Sequence, residues 1–439
     1  MSRTISFKTN RVLFVAAIVF WLILNAPATA LYSVTDLGPV ANLPGQDGGG
    51  ICGINGRGDV LAVGATNGEY RALLFNGNVW ADLGTLGGSG SYAGKLNNTN
   101  QVAGTSFTTG GQKRAFLWTP GATDGVAGNL EMKDLGTFGG DYSEGIDINA
   151  SGQVTGNAQT NNSDFNDRAF RYSNGVMSDI GKFLGNGLPN SYGYGINDNG
   201  WVVGAAYKKN NWSEPFAFYY DGSIAALIHD TNYMRDSTAF AINNKGRVAG
   251  YYTLTNDLWS THAFYYQDGH LTDLGTLGGD YASARAINND DVVVGGSYVD
   301  GANAVYHAFV SSGNMLMDLN DLLDSSGADW TLVDAVDIND AGQIIGKGNI
   351  NGGEERMFLL DPVPIEPNIT GITCEADGVH ISFTTLVGGD YYLESRTNLL
   401  IGEWSKIVTN ISGDGGVLTL TNADNGDKKR FFRVGLTVP

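Results

Sequence analysis

The residues best equipped for chemistry in this chain lie in three loops near its middle. Lys208-Lys209-Asn210-Asn211-Trp212 and Asn256-Asp257-Leu258-Trp259 each set a tryptophan among amides and charges. Between them runs Leu227-Ile228-His229-Asp230-Thr231-Asn232-Tyr233-Met234-Arg235-Asp236. An aromatic beside hydrogen-bonding side chains can stack on a sugar ring and grip its hydroxyls. Trp212, His229, Tyr233, Arg235 and Trp259 are therefore the candidate ligand-binding residues. His229 or Tyr233 could also move a proton while Arg235 neutralises a uronate carboxylate, which is lyase chemistry. Asp230 and Asp236 could supply the two carboxyls of a glycoside hydrolase. The plainer alternative is drift in surface loops, with each tryptophan packed on its own sheet.

A second constellation is the basic series Arg71, Arg114, Arg168, His262, His307 and Arg356, which as a ring would bind anions. Spacing argues for structure instead. Arg71 to Asp82, Arg168 to Asp179, His262 to Asp273 and His307 to Asp318 are all 11 residues apart. A two-residue turn at Asn76-Gly77 puts Arg71 directly opposite Asp82, a cross-strand pair contributing roughly 0.2–1 kcal/mol. Where the base becomes Phe216, the residue 11 further on becomes Leu227, as if both partners turned apolar together. No G-x-S-x-G, H-E-x-x-H or P-loop is present. Asn197 to Gly200 and Asn422 to Asp427 are acidic enough to suggest calcium, but neither has the calcium-loop spacing. No metal and no other cofactor is expected.

These residues sit on a repeat. Asp-Leu-Gly, Ile-Asn-x-x-x-x-Val-x-Gly and basic-Ala-Phe recur in that order, most clearly from Asp273 to Phe309. A fixed order at a period of roughly 45 residues marks a solenoid or propeller. The asparagines are Asn55, Asn97, Asn149, Asn197, Asn243, Asn288 and Asn339, seven in all, each read as a turn residue rather than a ligand. Every repeat reads as four short strands: one ending at Ile-Asn, then Val-x-Gly, Ala-Phe-aromatic and the run into Asp-Leu-Gly. The expected fold is all-β, a seven-bladed β-propeller over residues 31–361. Tyr32 to Gly38 carries a fourth-strand signal ahead of any Ile-Asn, and the last repeat stops after its third strand. The N-terminal strand is thus expected to complete the last blade and close the ring.

The spaced motifs Asp273-Leu-Gly-Thr-Leu-Gly-Gly, Ile-Asn-x-x-Gly-x-Val-x-Gly and His262-Ala-Phe or Arg168-Ala-Phe resemble the HAF family of bacterial extracellular repeat proteins. That resemblance implies secretion and a repetitive β fold, and brings no catalytic residues with it. After a Pro-rich linker, 362–367, six short strand-like segments over 368–439 suggest a small β-sandwich. That module is similar to fibronectin-type sandwiches through Trp404 and Phe431-Phe432-Arg433-Val434.

Arg3, Lys8 and Arg11, the apolar run Val12 to Leu24 and Ala28-Thr29-Ala30 read as a signal peptide cleaved after Ala30. The chain is acidic, with 45 Asp and Glu against 26 Lys and Arg and a net charge of −19. Such a balance argues against nucleic acid and anionic membranes. Two cysteines, Cys52 and Cys374, exclude a disulfide framework and read as two buried free thiols, with a single bridge between the domains as the alternative. The functional expectation is a secreted, monomeric, non-catalytic binding or scaffold protein whose propeller face meets an extracellular glycan or a cell-surface protein. The alternative is a carbohydrate-active enzyme, a polysaccharide lyase or glycoside hydrolase, on the same face.

Overall fold

Short β-branched and aromatic runs punctuated by Asn and Gly do become strands. The computed structural model describes the chain from residue 31 except 40–49, 67, 162–165, 186, 209–210, 229–233, 256–259, 364–368, 376–377, 385–389, 397–404, 413–416, 423–430 and 438–439. Its strands group into seven four-stranded antiparallel sheets and two three-stranded ones. Sheet 1 is Gly50–Ile54, Val60–Thr66, Glu69–Phe75 and Trp80–Asp82. Sheets 2 to 6 repeat that plan, with first strands Gly87–Leu96, Ser143–Ile148, Asn190–Ile196, Met234–Ile242 and Ala282–Ile287. Sheet 7 takes Trp330–Ile338, Ile344–Ile350 and Glu355–Val363 and, as its outermost strand, Leu31–Pro39. Residues Tyr32–Asp361 form one compact unit.

The repeated motif residues each have a packing reason. Phe116, Phe170, Phe218, Phe264, Phe309 and Phe358 of the third strands are wholly buried. Each ring lies over the glycine of the neighbouring Val-x-Gly. At Gly204 a Cβ would stand 1.8 Å from the Tyr192 carbonyl and 2.8 Å from the Phe218 ring, so only glycine fits. Asp82, Asp134 and Asp273 each accept, through Oδ1, the N–H of the glycine two residues on, at 2.8 Å, which fixes the turn after the fourth strand.

One device escaped the sequence reading. A serine near the start of a first strand reaches back to the preceding sheet. Ser91, Ser143, Ser191 and Ser237 accept through Oγ the N–H of Ala72, Ala115, Ala169 and Ala217, at 2.9–3.0 Å. Three of these hydroxyls donate in turn to Gly84, Gly136 and Ile228 carbonyls. Backbone groups that could not pair within their own sheet are satisfied this way.

From Pro362 onward the chain belongs to a second unit. Ile369–Glu375, Gly378–Thr384 and Val417–Asn422 make one sheet. Asp390–Arg396 lies between Ser405–Ser412 and Phe431–Thr437 in the other. Val379, Ile381, Phe383 and Leu420 of the first sheet share an apolar cluster with Tyr391, Leu393 and Val434 of the second.

Candidate functional site

The basic series is in use, though not in the expected register. Leu73, not Arg71, stands directly opposite Asp82, because the loop after Phe75 runs over four residues to Trp80. Asn76 Oδ1 accepts from both Asn78 and Val79 N–H and holds that wider loop. The base therefore meets the acid on the diagonal. Arg71 Nε is 3.6 Å from Asp82 while its Nη2 is 2.7 Å from Glu69. His262 Nδ1 lies 2.9 Å from Asp273, His307 Nδ1 2.5 Å from Asp318 and Arg356 Nη2 2.7 Å from Asp36. Phe216 does not pair with Leu227 either: Phe218 faces Leu227, which is 43 % exposed. Four of the six bases thus face neighbouring carboxylates, while Arg114 donates to the Asp141 carbonyl, so the series is largely engaged within the protein.

The seven asparagines do more than turn the chain. Each Oδ1 accepts the N–H groups two and four residues on, as Asn197 does from Asn199 and Trp201. Each Nδ2 donates to the carbonyl of the next repeat's asparagine: Asn55 to Asn97, Asn97 to Asn149, Asn149 to Asn197 and Asn197 to Asn243. Asn243 donates to Asn288, Asn288 to Asn339, and Asn339 back to Asn55 at 2.8 Å. These residues line a funnel of about 220 Å³ at one end of the first strands. The polar atoms lining it are largely tied to one another, as Asp198 is to Ala150 and Asn244.

Deeper between the first strands lies a charged group. Lys95 Nζ is 2.9 Å from Asp337, whose Oδ2 accepts from Ile54 N–H. Asp147 accepts from Ile148 and Ile196 N–H, both at 2.8 Å. Burial pushes the Asp147 carboxyl up to about 6, against the pull of those N–H groups and of Lys95. The folded chain thus holds this proton more tightly than the unfolded chain. Its contribution to stability is complete below the ordinary Asp value of about 4 and is lost as pH rises through about 6. Urea unfolding of wild type and Asp147→Asn should show their stability difference shift against wild type between pH 4 and 6, then stay level to pH 8. A difference constant from pH 4 to 8 would mean the carboxyl titrates normally. On the same strands Cys52 is a free, partly buried thiol, pushed up to about 11 by burial.

Of the loop residues singled out by sequence, Arg235 is described in full. It lies on Met234–Ile242 with Nε 3.7 Å from Glu214 and 3.9 Å from Asp236, so its charge is already answered within the protein. Trp212 is on the strand Asn211–Tyr220, with its side chain outside the described residues. His229, Tyr233 and Trp259 lie outside them altogether.

What the described residues bring together is a band of aromatic rings from sheets 4, 5 and 6, most of them toward the end away from the asparagines. Tyr192 contacts Tyr194 at 6.3 Å and Tyr207 at 5.7 Å, and Tyr194 contacts Phe240 at 5.5 Å. Phe240 meets Tyr251 at 5.7 Å, Tyr251 meets Tyr281 at 6.4 Å, and Tyr281 meets Tyr306 at 6.3 Å. All seven rings are partly exposed. Polar groups stand among them. Tyr192 Oη donates to Asp167 at 2.9 Å, and burial raises that carboxyl. Arg285 Nη2 lies 3.4 Å from Asp334. Single-sequence reading missed this band because its members sit at different places in different repeats.

No family model matches the chain, and no curated protein matches it. Among solved structures it is similar to a puromycin hydrolase mutant complexed with PGG, at 12 % identity and TM-score 0.47, over 77 % of this chain and 59 % of that one. A Mycobacterium tuberculosis puromycin-hydrolyzing peptidase gives 9 % and 0.48 over 79 % and 60 %. YCF48 bound to D1 peptide gives 12 % and 0.39 over 76 % and 97 %. The chain thus spans about three fifths of the length of the two hydrolases. Seven sheets of one plan, each hydrogen-bonded to the next through its asparagine, make this a β-propeller-like all-β protein.

Proposed function

We propose that the seven sheets are blades of one closed ring, followed by a small β-sandwich, in an exported protein of the HAF repeat type. On this reading it is a non-catalytic binding protein, and the tyrosine-lined end of the ring takes a glycan. One observation carries it: the unbroken run of partly exposed rings from Tyr207 through Phe240 and Tyr251 to Tyr306. A flat aromatic offers the C–H face of a sugar a stacking surface, and the tyrosine hydroxyls offer its hydroxyl groups partners. Trp212, His229, Tyr233, Arg235 and Trp259 are proposed as further ligand-binding residues. Arg235 faces Glu214 and Asp236, which favours a hydrogen-bonding role for it over neutralising a uronate. Nothing in this reading requires calcium or another cofactor.

The test is a glycan array, followed by calorimetry with the best binder. Tyr251→Ala removes the middle of the run and should weaken binding tenfold or more, as for a buried anchor at a recognition surface. A wild type that binds no glycan, or a Tyr251→Ala variant that binds equally well, removes this reading. Catalysis is the second reading, favoured by the Asp167 carboxyl raised by burial beside Tyr192. Reducing or unsaturated sugar ends appearing during the titration, and absent with Asp167→Asn, would establish it.

A further inference from the structure

The junctions between consecutive sheets share a plan, and one of them lacks a part. Between sheets 3 and 4 the guanidinium of Arg171 stands 5.8 Å from the centre of the Tyr220 ring, and its Nη1 donates to the Gly200 carbonyl at 3.0 Å. A cation over an aromatic face with a carbonyl at its edge is a favourable arrangement. Register fixes the counterparts one junction back. Arg171 pairs with Thr155 and Leu117 with Ala103, in each case the residue before the glycine of Val-x-Gly. Tyr172 and Tyr220 stand opposite Val154 and Val202, and Gly152 and Gly200 each follow their asparagine by three. Gln101 and Gln153 frame the two places alike, donating through Nε2 to Thr119 and Ser173, each at 3.1 Å. The aromatic, the glycine and the amide are all kept. Only the arginine is gone, with Leu117 in its place.

Between sheets 2 and 3 the corresponding space is open. Leu117, Gly152 and Tyr172 line a cavity of about 340 Å³ together with Asp124, Glu131 and Lys133. A single water needs only about 10–15 Å³ of such space. The lining also includes Ser151 and Asn174, which are exposed as Asp124 is, so solvent reaches the cavity. Tyr172 itself is 6 % exposed, and its hydroxyl has no hydrogen bond among the described residues, whereas Tyr220 donates to the Gly222 carbonyl at 2.8 Å. Charge points to the same missing group. Lys133 is paired with Asp124 at 2.6 Å. The Glu131 carboxylate accepts from Gly121 N–H and has no cation partner among the described residues. Two carboxylates against one ammonium leave the lining negative, on a chain whose net charge of −19 draws cations.

We infer that the cavity between sheets 2 and 3 binds a small guanidinium compound, its cation against the Tyr172 ring and beside Glu131. The site is separate from the tyrosine band of sheets 4 to 6 and stands or falls independently of the glycan reading. Its test is an NMR titration of the full chain with butylguanidinium, and with butylurea as the neutral molecule of the same shape. Butylguanidinium should give saturable shifts at the Gly152 and Gly175 amides, weaker at 500 than at 50 mM NaCl because a charged ligand is screened. Butylurea should give none. Leu117→Arg supplies the missing cation from within and should abolish the binding. Glu131→Gln keeps an acceptor for Gly121 N–H while losing the charge, and should weaken binding tenfold or more. It carries the test should Leu117→Arg fail to fold.

Absence of saturable shifts with butylguanidinium overturns the site. So does an equal response to butylurea, which would make the cavity indifferent to charge. Binding left intact in Glu131→Gln, or in a folded Leu117→Arg, places the ligand elsewhere and overturns it too.

Discussion

Removing residues 31–38 is expected to leave a protein that aggregates instead of staying monomeric. The segment supplies the outermost strand of sheet 7, beside Glu355–Val363. Tyr32 is fully buried, and truncating such a ring alone costs about 3–5 kcal/mol. The Asp36 carboxylate, 2.7 Å from Arg356, and the hydrogen bonds of Val34 N–H to Ser326 and of Asp324 N–H to the Tyr32 carbonyl go with it. Typical domains hold only about 5–15 kcal/mol in all, so the loss is a large fraction. The strand uncovered beside Arg356 also presents unpaired backbone groups, a template for another chain. Light scattering and urea unfolding of the truncated chain decide the matter. A monomer as stable as the full-length protein would mean the strand is an appendage.

Asn197→Ala should be strongly damaging at the opposite end of the sheets. Asn197 is 3 % exposed and serves three backbone groups at once, the Asn243 carbonyl and the N–H groups of Asn199 and Trp201. Alanine leaves all three without that partner. At about 1–3 kcal/mol for each buried group left open, the total is on the order of 3 kcal/mol or more. Asn199→Ala is the control, because its side chain donates only to the exposed Asn244 carbonyl and should cost under about 1 kcal/mol. Urea midpoints with matched slopes would report both. Equal costs in the two variants would mean the asparagine ring is incidental to stability.

Much of the fold was legible because its signals are local. Asn with a glycine downstream fixes a turn, Ala-Phe marks a strand whose ring is buried, and both recur at one spacing. The four-strand plan follows from those alone. Register was harder. Asn76-Gly77 looks like a two-residue turn but forms the first half of a four-residue loop, which moved every inferred pair by two positions. Sheet 3 held the better guide. Asn174 and Gly175 both take positive φ, as a tight hairpin requires, and place Phe170 opposite Asp179.

The candidate site was less legible for a different reason. Its rings come from first strands at Tyr192, Tyr194 and Phe240, from second strands at Tyr207 and Tyr251, and from Tyr281 and Tyr306 in the sixth repeat. No periodicity in one sequence joins them; only the meeting of neighbouring sheets does. Tryptophans in irregular loops drew the eye instead. The asparagine ring was hidden likewise, since each Nδ2 finds its carbonyl a whole repeat away, 42 residues on for Asn55. A turn residue and a link between sheets are indistinguishable until the sheets are placed.

The most direct measurement is a crystal structure of the protein soaked with the strongest-binding oligosaccharide from the array. If the tyrosine-lined end is the site, a sugar ring should lie against Tyr251 or Tyr281. A sugar seated in the asparagine funnel, or on any surface away from those rings, would contradict it.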